Sequence, residues 1–158
     1  MNIIITGASR GIGYELVKRF ASSPDHHVVA VSRNKKNLLR LKDECLSQDA
    51  GARVEVIPFD LANDELQKKF LPEMLRCFKK VDVLINNAGL LINKPIDSML
   101  PEDFDRMFGI NVKSVFFLVQ HLLPYFSENA HIVNMGSMGG FQGSAKFPGL
   151  SLYSAGKG

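Results

Sequence analysis

Thr6-Gly7-Ala8-Ser9-Arg10-Gly11-Ile12-Gly13 follows the run Ile3-Ile4-Ile5 and leads into a stretch where Ile12, Leu16, Val17 and Phe20 recur at helical spacing. A β-branched run of three is too short for a helix and suits a buried strand. Glycines let the following turn fold tightly and let the backbone approach a ligand closely. The helix beyond offers unpaired N–H groups and the positive end of its dipole to whatever sits in the turn. Strand, glycine turn and helix in this order are the parts of a diphosphate site, here spaced G-x-x-x-G-x-G rather than G-x-G-x-x-G. Pro24 lies just past the end of the helix.

Working outward, strands and helices alternate. Val28 to Val31 is a second apolar run, followed by a helix marked by Leu38, Leu41 and Cys45, with Leu39 and Leu46 beside them. Val54, Val56 and Ile57 form a third strand that closes near Asp60. Leu66, Phe70, Met74 and Phe78 then sit four apart on a third helix, for which Asn63 and Asp64 are candidate caps. Pro72 inside that pattern predicts a kink or break. Val81 to Ile85 is the fourth strand and His131 to Met135 the fifth. Between them Phe104, Phe108, Val112, Val115, Phe116, Val119 and Leu123 predict one long helix ending near Pro124. Its apolar face is too wide for one side, so part of it is expected to meet another subunit. Gly136 to Gly149 reads as a glycine-rich loop. Continuous apolar strands alternating with helices predict an α/β fold: a doubly wound, Rossmann-like parallel sheet with helices on both faces, in one domain over 1–158.

Bulk properties narrow the function. The 158 residues carry a net charge of +3, 46% hydrophobic and 22% charged residues, as in an ordinary globular core. Lys35-Lys36, Lys68-Lys69 and Lys79-Lys80 are isolated pairs that read as solvated surface, so nucleic acid is not an expected partner. Cys45 and Cys77 are far apart and fall on apolar helix sides, which reads as core packing in a reducing compartment. No apolar run reaches the roughly 18 residues of a membrane span, and the first begins at Ile3, leaving no room for a signal peptide. The expectation is a cytoplasmic protein with no membrane partner. His26, His27, His121 and His131 show no metal-ligand spacing. Met135-Gly136-Ser137-Met138-Gly139 misses the G-x-S-x-G elbow of serine hydrolases at its first position.

Four more motifs follow the glycine turn in order: Asp60-Leu61 after the third strand, Asn86-Asn87-Ala88-Gly89 ending the fourth, Asn111 within Ile110-Asn111-Val112, and Ser137 after the fifth strand with Tyr153 and Lys157 as Y-x-x-x-K. With T-G-x-x-x-G-x-G they make the whole chain resemble the short-chain dehydrogenase/reductase family, of the NADP-preferring type. The resemblance implies an oxidoreductase moving a hydride between a nicotinamide nucleotide and a carbonyl or alcohol substrate. It implies cofactor-binding roles for Gly7, Ser9, Arg10, Gly11, Ile12, Gly13, Ser32, Arg33, Asp60, Leu61, Asn87, Ala88 and Gly89. Asp60 would lie beside the adenine. It implies catalytic roles for Asn111, Ser137, Tyr153 and Lys157, and a homodimer or homotetramer built on the long helix and the one bearing Tyr153.

The residues add their own chemistry. An acid after the second strand would accept from the free ribose hydroxyl of NAD and repel the phosphate of NADP. Here that strand ends in Ser32-Arg33, and Arg10 adds a second guanidinium able to grip a phosphate, so NADP is expected over NAD. As isolated residues the two arginines would read as surface. Tyr153 and Lys157 are four apart, on one face of a helix if one forms. An ammonium nearby favours a phenolate, which would let Tyr153 give a proton to a carbonyl oxygen or take one from an alcohol. Ser137 could hold that oxygen. In the family the asparagine of the long helix links the lysine to solvent through water, and Asn111 matches it.

The gap from Ser137 to Tyr153 is a few residues longer than the family's commonest spacing. It carries Met138, Phe141 and Phe147, which either line an apolar substrate wall or anchor the loop to the core. Family members continue for roughly another third of their length beyond Lys157. The expectation is a domain cut after Y-x-x-x-K, with a short fraying helix, a terminal carboxylate competing for Lys157, and the fifth strand left as an exposed apolar edge. The alternative to an enzyme is a truncated, catalytically inactive dinucleotide-binding or interaction protein on the same scaffold.

Overall fold

Ile3, Ile4 and Ile5 are wholly buried, which places β1 (Asn2–Thr6) where both its faces are covered. The computed structural model describes residues 1–158 apart from Asp64 and Lys146; the candidate cap Asp64 therefore lies outside the described residues. β2 (His27–Ser32), β3 (Arg53–Pro58), β4 (Val81–Asn86) and β5 (Phe126–Asn134) join β1 in one parallel sheet of order β3-β2-β1-β4-β5. Ile3 pairs with Val28 on one side and Val83 on the other.

Alternate residues of each strand feed two cores. Ile3, Ile5, Val28 and Ala30 pack with Val17 of α1 (Gly11–Ala21) and with Leu38, Leu41 and Cys45 of α2 (Lys35–Gln48). Ile4, Val29, Val31 and Leu84 pack on the opposite face with Phe70, Met74, Leu118 and Leu122. The chain winds outward from β1 to β3 and then returns to β4. The reversal between β1 and β4 opens a crevice at the carboxyl ends of these strands, the usual ligand position in such sheets.

The third helix breaks where Pro72 predicts. A π-helical turn, Leu66–Phe70, passes into α3 (Leu71–Cys77) with Pro72 in its first turn. Leu66, Phe70, Met74 and Phe78 are all buried. Cys77, expected in the core, is only half-buried and donates its thiol to Glu73 O. Burial pushes both thiols above the ordinary cysteine value. Ile12, counted on the apolar face of α1, is 62% exposed; Gly13, Tyr14, Val17 and Ala21 are the buried positions.

The long helix departs most from expectation. It runs from Pro101 to Tyr125 as α4 (Pro101–Phe108), a π-helical turn (Gly109–Lys113), α5 (Ser114–Leu122) and a closing 3-10 turn. Its 25 residues hold an 18-residue window of mean hydropathy 1.2, which by length and composition alone matches a membrane span, as the core helix of a globular fold also can. It packs on the sheet through Met107, Asn111, Ser114, Leu118 and Leu122, whereas Phe104, Val112, Phe116 and Leu123 face outward, Phe116 being 63% exposed. The apolar surface is indeed two-sided, but most of the predicted stripe is the outer side. β5 begins at Phe126, earlier than the sequence suggests, with an irregularity between the Val81–Phe126 and Val83–His131 pairs. It forms the sheet edge, and Ile132 and Val133 are exposed, as expected.

Candidate nucleotide and catalytic site

The glycine turn is fastened to the end of β4 by Thr6. Its buried hydroxyl oxygen accepts from the backbone N–H of Asn87 and of Ala88, both at 3.0 Å, and lies 3.3 Å from Ile85 O, to which it donates. Asn87 returns the connection, its amide Nδ2 donating to Thr6 O at 2.9 Å and Gly7 O at 3.3 Å. Gly7 and Gly11 hold φ of +67° and +61°, the left-handed region that favours glycine. A Cβ on Gly7 would stand 2.8 Å from Ala88 Cα, so the two loops touch backbone to backbone. Gly13 has ordinary φ, yet a Cβ there would collide with Asn87 Nδ2 and stand 2.6 Å from Gly7 O. Its role is close packing of α1 against the turn.

These contacts frame a cavity of about 380 Å³ lined by Gly7, Ser9, Arg10, Gly11, Ile12, Ser32, Arg33, Phe59, Asp60, Leu61, Asn87, Ala88, Gly89 and Ile110. All the sequence-derived cofactor residues line it except Gly13. Phe59 and Ile110 were missed, though each directly precedes a motif residue. Arg10, the residue before the first turn of α1, is extended and makes no side-chain cap, so no side chain competes for the amides of that turn. A backbone cradle that a Cβ on Gly7 would fill, uncapped helix amides and two arginines fit a nucleotide diphosphate. At the far end Arg33 Nη1 lies 3.8 Å from Asp60 Oδ2.

The other end carries the remaining motif residues. Asn111, buried in the π-helical turn, donates through Nδ2 to Leu90 O and accepts at Oδ1 from Leu90 N–H, both at 2.9 Å. The amide thus clamps the loop after β4. Lys157 Nζ donates to Met135 O at 2.8 Å. A Cβ on Gly89 would lie 3.4 Å from Lys157 Nζ and 3.6 Å from Asn111 Oδ1, so the lysine adjoins the nucleotide cavity through Gly89. Burial alone holds the Lys157 ammonium below the ordinary lysine value, and the terminal carboxylate forms no ion pair with it among the described residues. α6 (Ser151–Ala155) is five residues long. Lys157 therefore sits in the turn beyond it, joined by Gly156 N–H to Leu152 O and Lys157 N–H to Ser154 O, and not on a continuous helix face.

Ser137 and Tyr153 meet around Gly139, where a Cβ would lie 3.4 Å from Ser137 Oγ and 3.7 Å from Tyr153 Cδ1. Ser137 Oγ accepts from Gly139 N–H at 3.1 Å. Neither residue lines the nucleotide cavity. Beyond them Ser144 Oγ donates to Met138 O and Phe141 O, and Lys94 N–H donates to Gly149 O at 3.0 Å. Met138, Phe141 and Phe147 are all exposed, so they do not anchor this loop to the core.

The short chain dehydrogenase family model matches residues 1–158. The chain belongs to the short-chain dehydrogenase family. Among curated members, an NADP-dependent 3-hydroxy acid dehydrogenase of Salmonella typhi is 31% identical over 160 residues, covering 99% of this chain and 61% of that protein. An uncharacterized oxidoreductase of Staphylococcus aureus is 31% identical over 141 residues, covering 88% of this chain and 59% of that protein. The chain thus spans about three fifths of the length of the curated relatives it matches. The short-chain dehydrogenase/reductase of Serratia marcescens superposes with a TM-score of 0.88 at 27% identity, covering 99% of this chain and 62% of that one. A short-chain dehydrogenase of Burkholderia cenocepacia in complex with NADP superposes with a TM-score of 0.87 at 26% identity, covering 98% and 62%. This short-chain dehydrogenase chain shares their parallel, Rossmann-like sheet, ended at the β5 edge.

Proposed function

We propose that residues 1–158 form the dinucleotide-binding domain, with most of the catalytic set, of an NADP(H)-dependent enzyme that interconverts a carbonyl and an alcohol. The observation that carries this reading is the cavity between the glycine turn and Asn87-Ala88-Gly89, closed so tightly that a Cβ on Gly7 would reach Ala88. The amides of Gly11 and Ile12 and the Arg10 guanidinium would hold the diphosphate. Arg33 and Ser32 would face the adenosine ribose phosphate, and Leu61 the base. The nicotinamide, when bound, supplies or accepts the hydride.

The chain's own residues would handle the proton. Tyr153 Oη would donate to the carbonyl oxygen in reduction or accept from the alcohol in oxidation. Ser137 Oγ would hold that oxygen in place. Lys157, directed by Met135 O toward Gly89, would place its charge at the nicotinamide ribose and support the phenolate. Asn111 would act through position, fixing Leu90 and flanking Lys157. The NADP dependence of one relative and the NADP complex of a structural neighbour support the phosphate-bearing cofactor. We place the protein in the cytoplasm and assign the outward Phe104, Val112 and Phe116 face to contact between copies.

Fluorescence titration with NADPH tests this reading. Tyr153→Phe should leave NADPH affinity within about twofold and lower turnover by roughly 10²-fold or more, the span of a lost acid–base group. A wild-type protein that does not bind NADPH overturns the proposal. One that binds it but turns over no carbonyl is the inactive binding protein instead.

A further inference from the structure

We infer that Asp60 is a specificity-determining residue for the nucleotide: it holds Arg33 in an ion pair across the adenosine end of the cavity and so limits how far a 2′-phosphate is favoured over a free 2′-hydroxyl. This rests on the nucleotide-binding reading above. Arg33 leaves the end of β2 and Asp60 follows β3, strands paired in register through Ser32 and Pro58. Phe59 N–H donates to Ser32 O at 3.0 Å, so backbone bonding sets the two side chains side by side. Both line the cavity, with Arg33 Nη1 3.8 Å from Asp60 Oδ2. The second carboxylate oxygen, Oδ1, accepts from Ala62 N–H at 3.1 Å, which pins the acid in this orientation.

The strand-end acid that would read a ribose hydroxyl is missing from β2, yet a carboxylate reaches the same region from β3. A 2′-phosphate entering here must share Arg33 with Asp60 and approach a like charge, whereas a hydroxyl does neither. Arg10, the other cation lining the cavity, has no ion pair among the described residues, so it favours phosphate without this restraint. Arg33 is 68% exposed and Asp60 44%. Water therefore weakens the pair, and its effect is a moderate bias in place of exclusion. The chain binds both nicotinamide nucleotides, with a smaller preference for the phosphate-bearing one than two arginines alone would give.

The test is binding of adenosine 2′,5′-bisphosphate and adenosine 5′-monophosphate to wild type and to Asp60→Asn, which keeps an oxygen for Ala62 N–H. The substitution should tighten the bisphosphate by about two- to fivefold, the span of an exposed ion pair, with the monophosphate changed less. The gain should shrink at high salt and fall in an Arg33→Gln background to the part due to like charge alone. Equal shifts in both ligands, weaker bisphosphate binding, or a gain undiminished by the loss of Arg33 would each overturn the inference while leaving the nucleotide site standing. A wild-type protein that binds neither ligand overturns the underlying reading instead. Asp60→Ser, with the same expected and contrary outcomes, serves if the asparagine variant does not fold.

Discussion

Two glycines of the same turn are required for different physical reasons, and substitution separates them. Gly11 has open space where a Cβ would be built but a φ of +61°. Alanine there should cost about 1–2 kcal/mol of backbone strain, and serine about the same. Gly13 has unstrained backbone but no room, with Asn87 Nδ2 and Gly7 O in the way. Alanine there should cost about 1–3 kcal/mol, rising with side-chain size because packed neighbours must move. Urea unfolding of the alanine and larger variants at each position checks this; a size-dependent loss at position 11 or a size-independent one at 13 would contradict it. The glycines were legible in the sequence as a class. Their division of labour was not, because it depends on Asn87, 74 positions downstream of Gly13 and brought there only by the return of the chain to β4.

At the scale of elements, the long helix shows what periodicity can and cannot reveal. Counting apolar residues selects the stripe through Phe104, Val112 and Phe116, which is mostly the outer face. The sheet-facing stripe includes Asn111 and Ser114, which look unsuitable for a core until their bonds are known. Ser114 Oγ donates to Ile110 O at 2.6 Å and Asn111 bonds both backbone groups of Leu90, so neither carries an unmet polar group inward. Strand interiors were readable because β-branched runs have few other uses; the facing of this helix required knowledge of its partners. Asn111→Leu should destabilise the protein by about 1–3 kcal/mol, because the part-buried N–H and C=O of Leu90 both lose their partner. It should also speed hydrogen exchange at the Leu90 amide relative to amides in β1. Unchanged protection at Leu90 would mean that the clamp is not what holds the loop. The Y-x-x-x-K pair was legible as residues but not as an element, since the helix ends at Ala155 and a turn carries the lysine.

Across the whole molecule, pH should act first through the end of the sheet opposite the cavity. His27 opens β2, is buried, and has Nδ1 3.3 Å from Arg53 Nη2 and its ring edge-on to Phe78. Burial first, then the Arg53 charge, holds its imidazole below the ordinary value of 6.5; Lys42 and the N-terminus act in the same direction and Glu55 opposes them. The folded state therefore prefers neutral His27, and the unfolded chain takes up the proton earlier as pH falls. Stability should be full above about pH 6.5 and decline below it. Carboxylates held low, such as Asp82 beside Asn2 N–H, add their losses only at more acid pH. Thermal unfolding between pH 7.5 and 5.5 should show the decline, and His27→Gln should flatten it; equal slopes in the two proteins would exclude His27 as the cause. The strand order has a further consequence, for synthesis. Ile3 meets Val28 after 25 residues but Val83 only after 80. A nascent chain leaving the ribosome can therefore zip β1, β2 and β3 together early, while the other flank of β1 waits, bare and oily, for β4 to emerge. The strand that founds the diphosphate cradle is thus among the last to be sealed, and the cradle itself is completed only when Asn87 arrives.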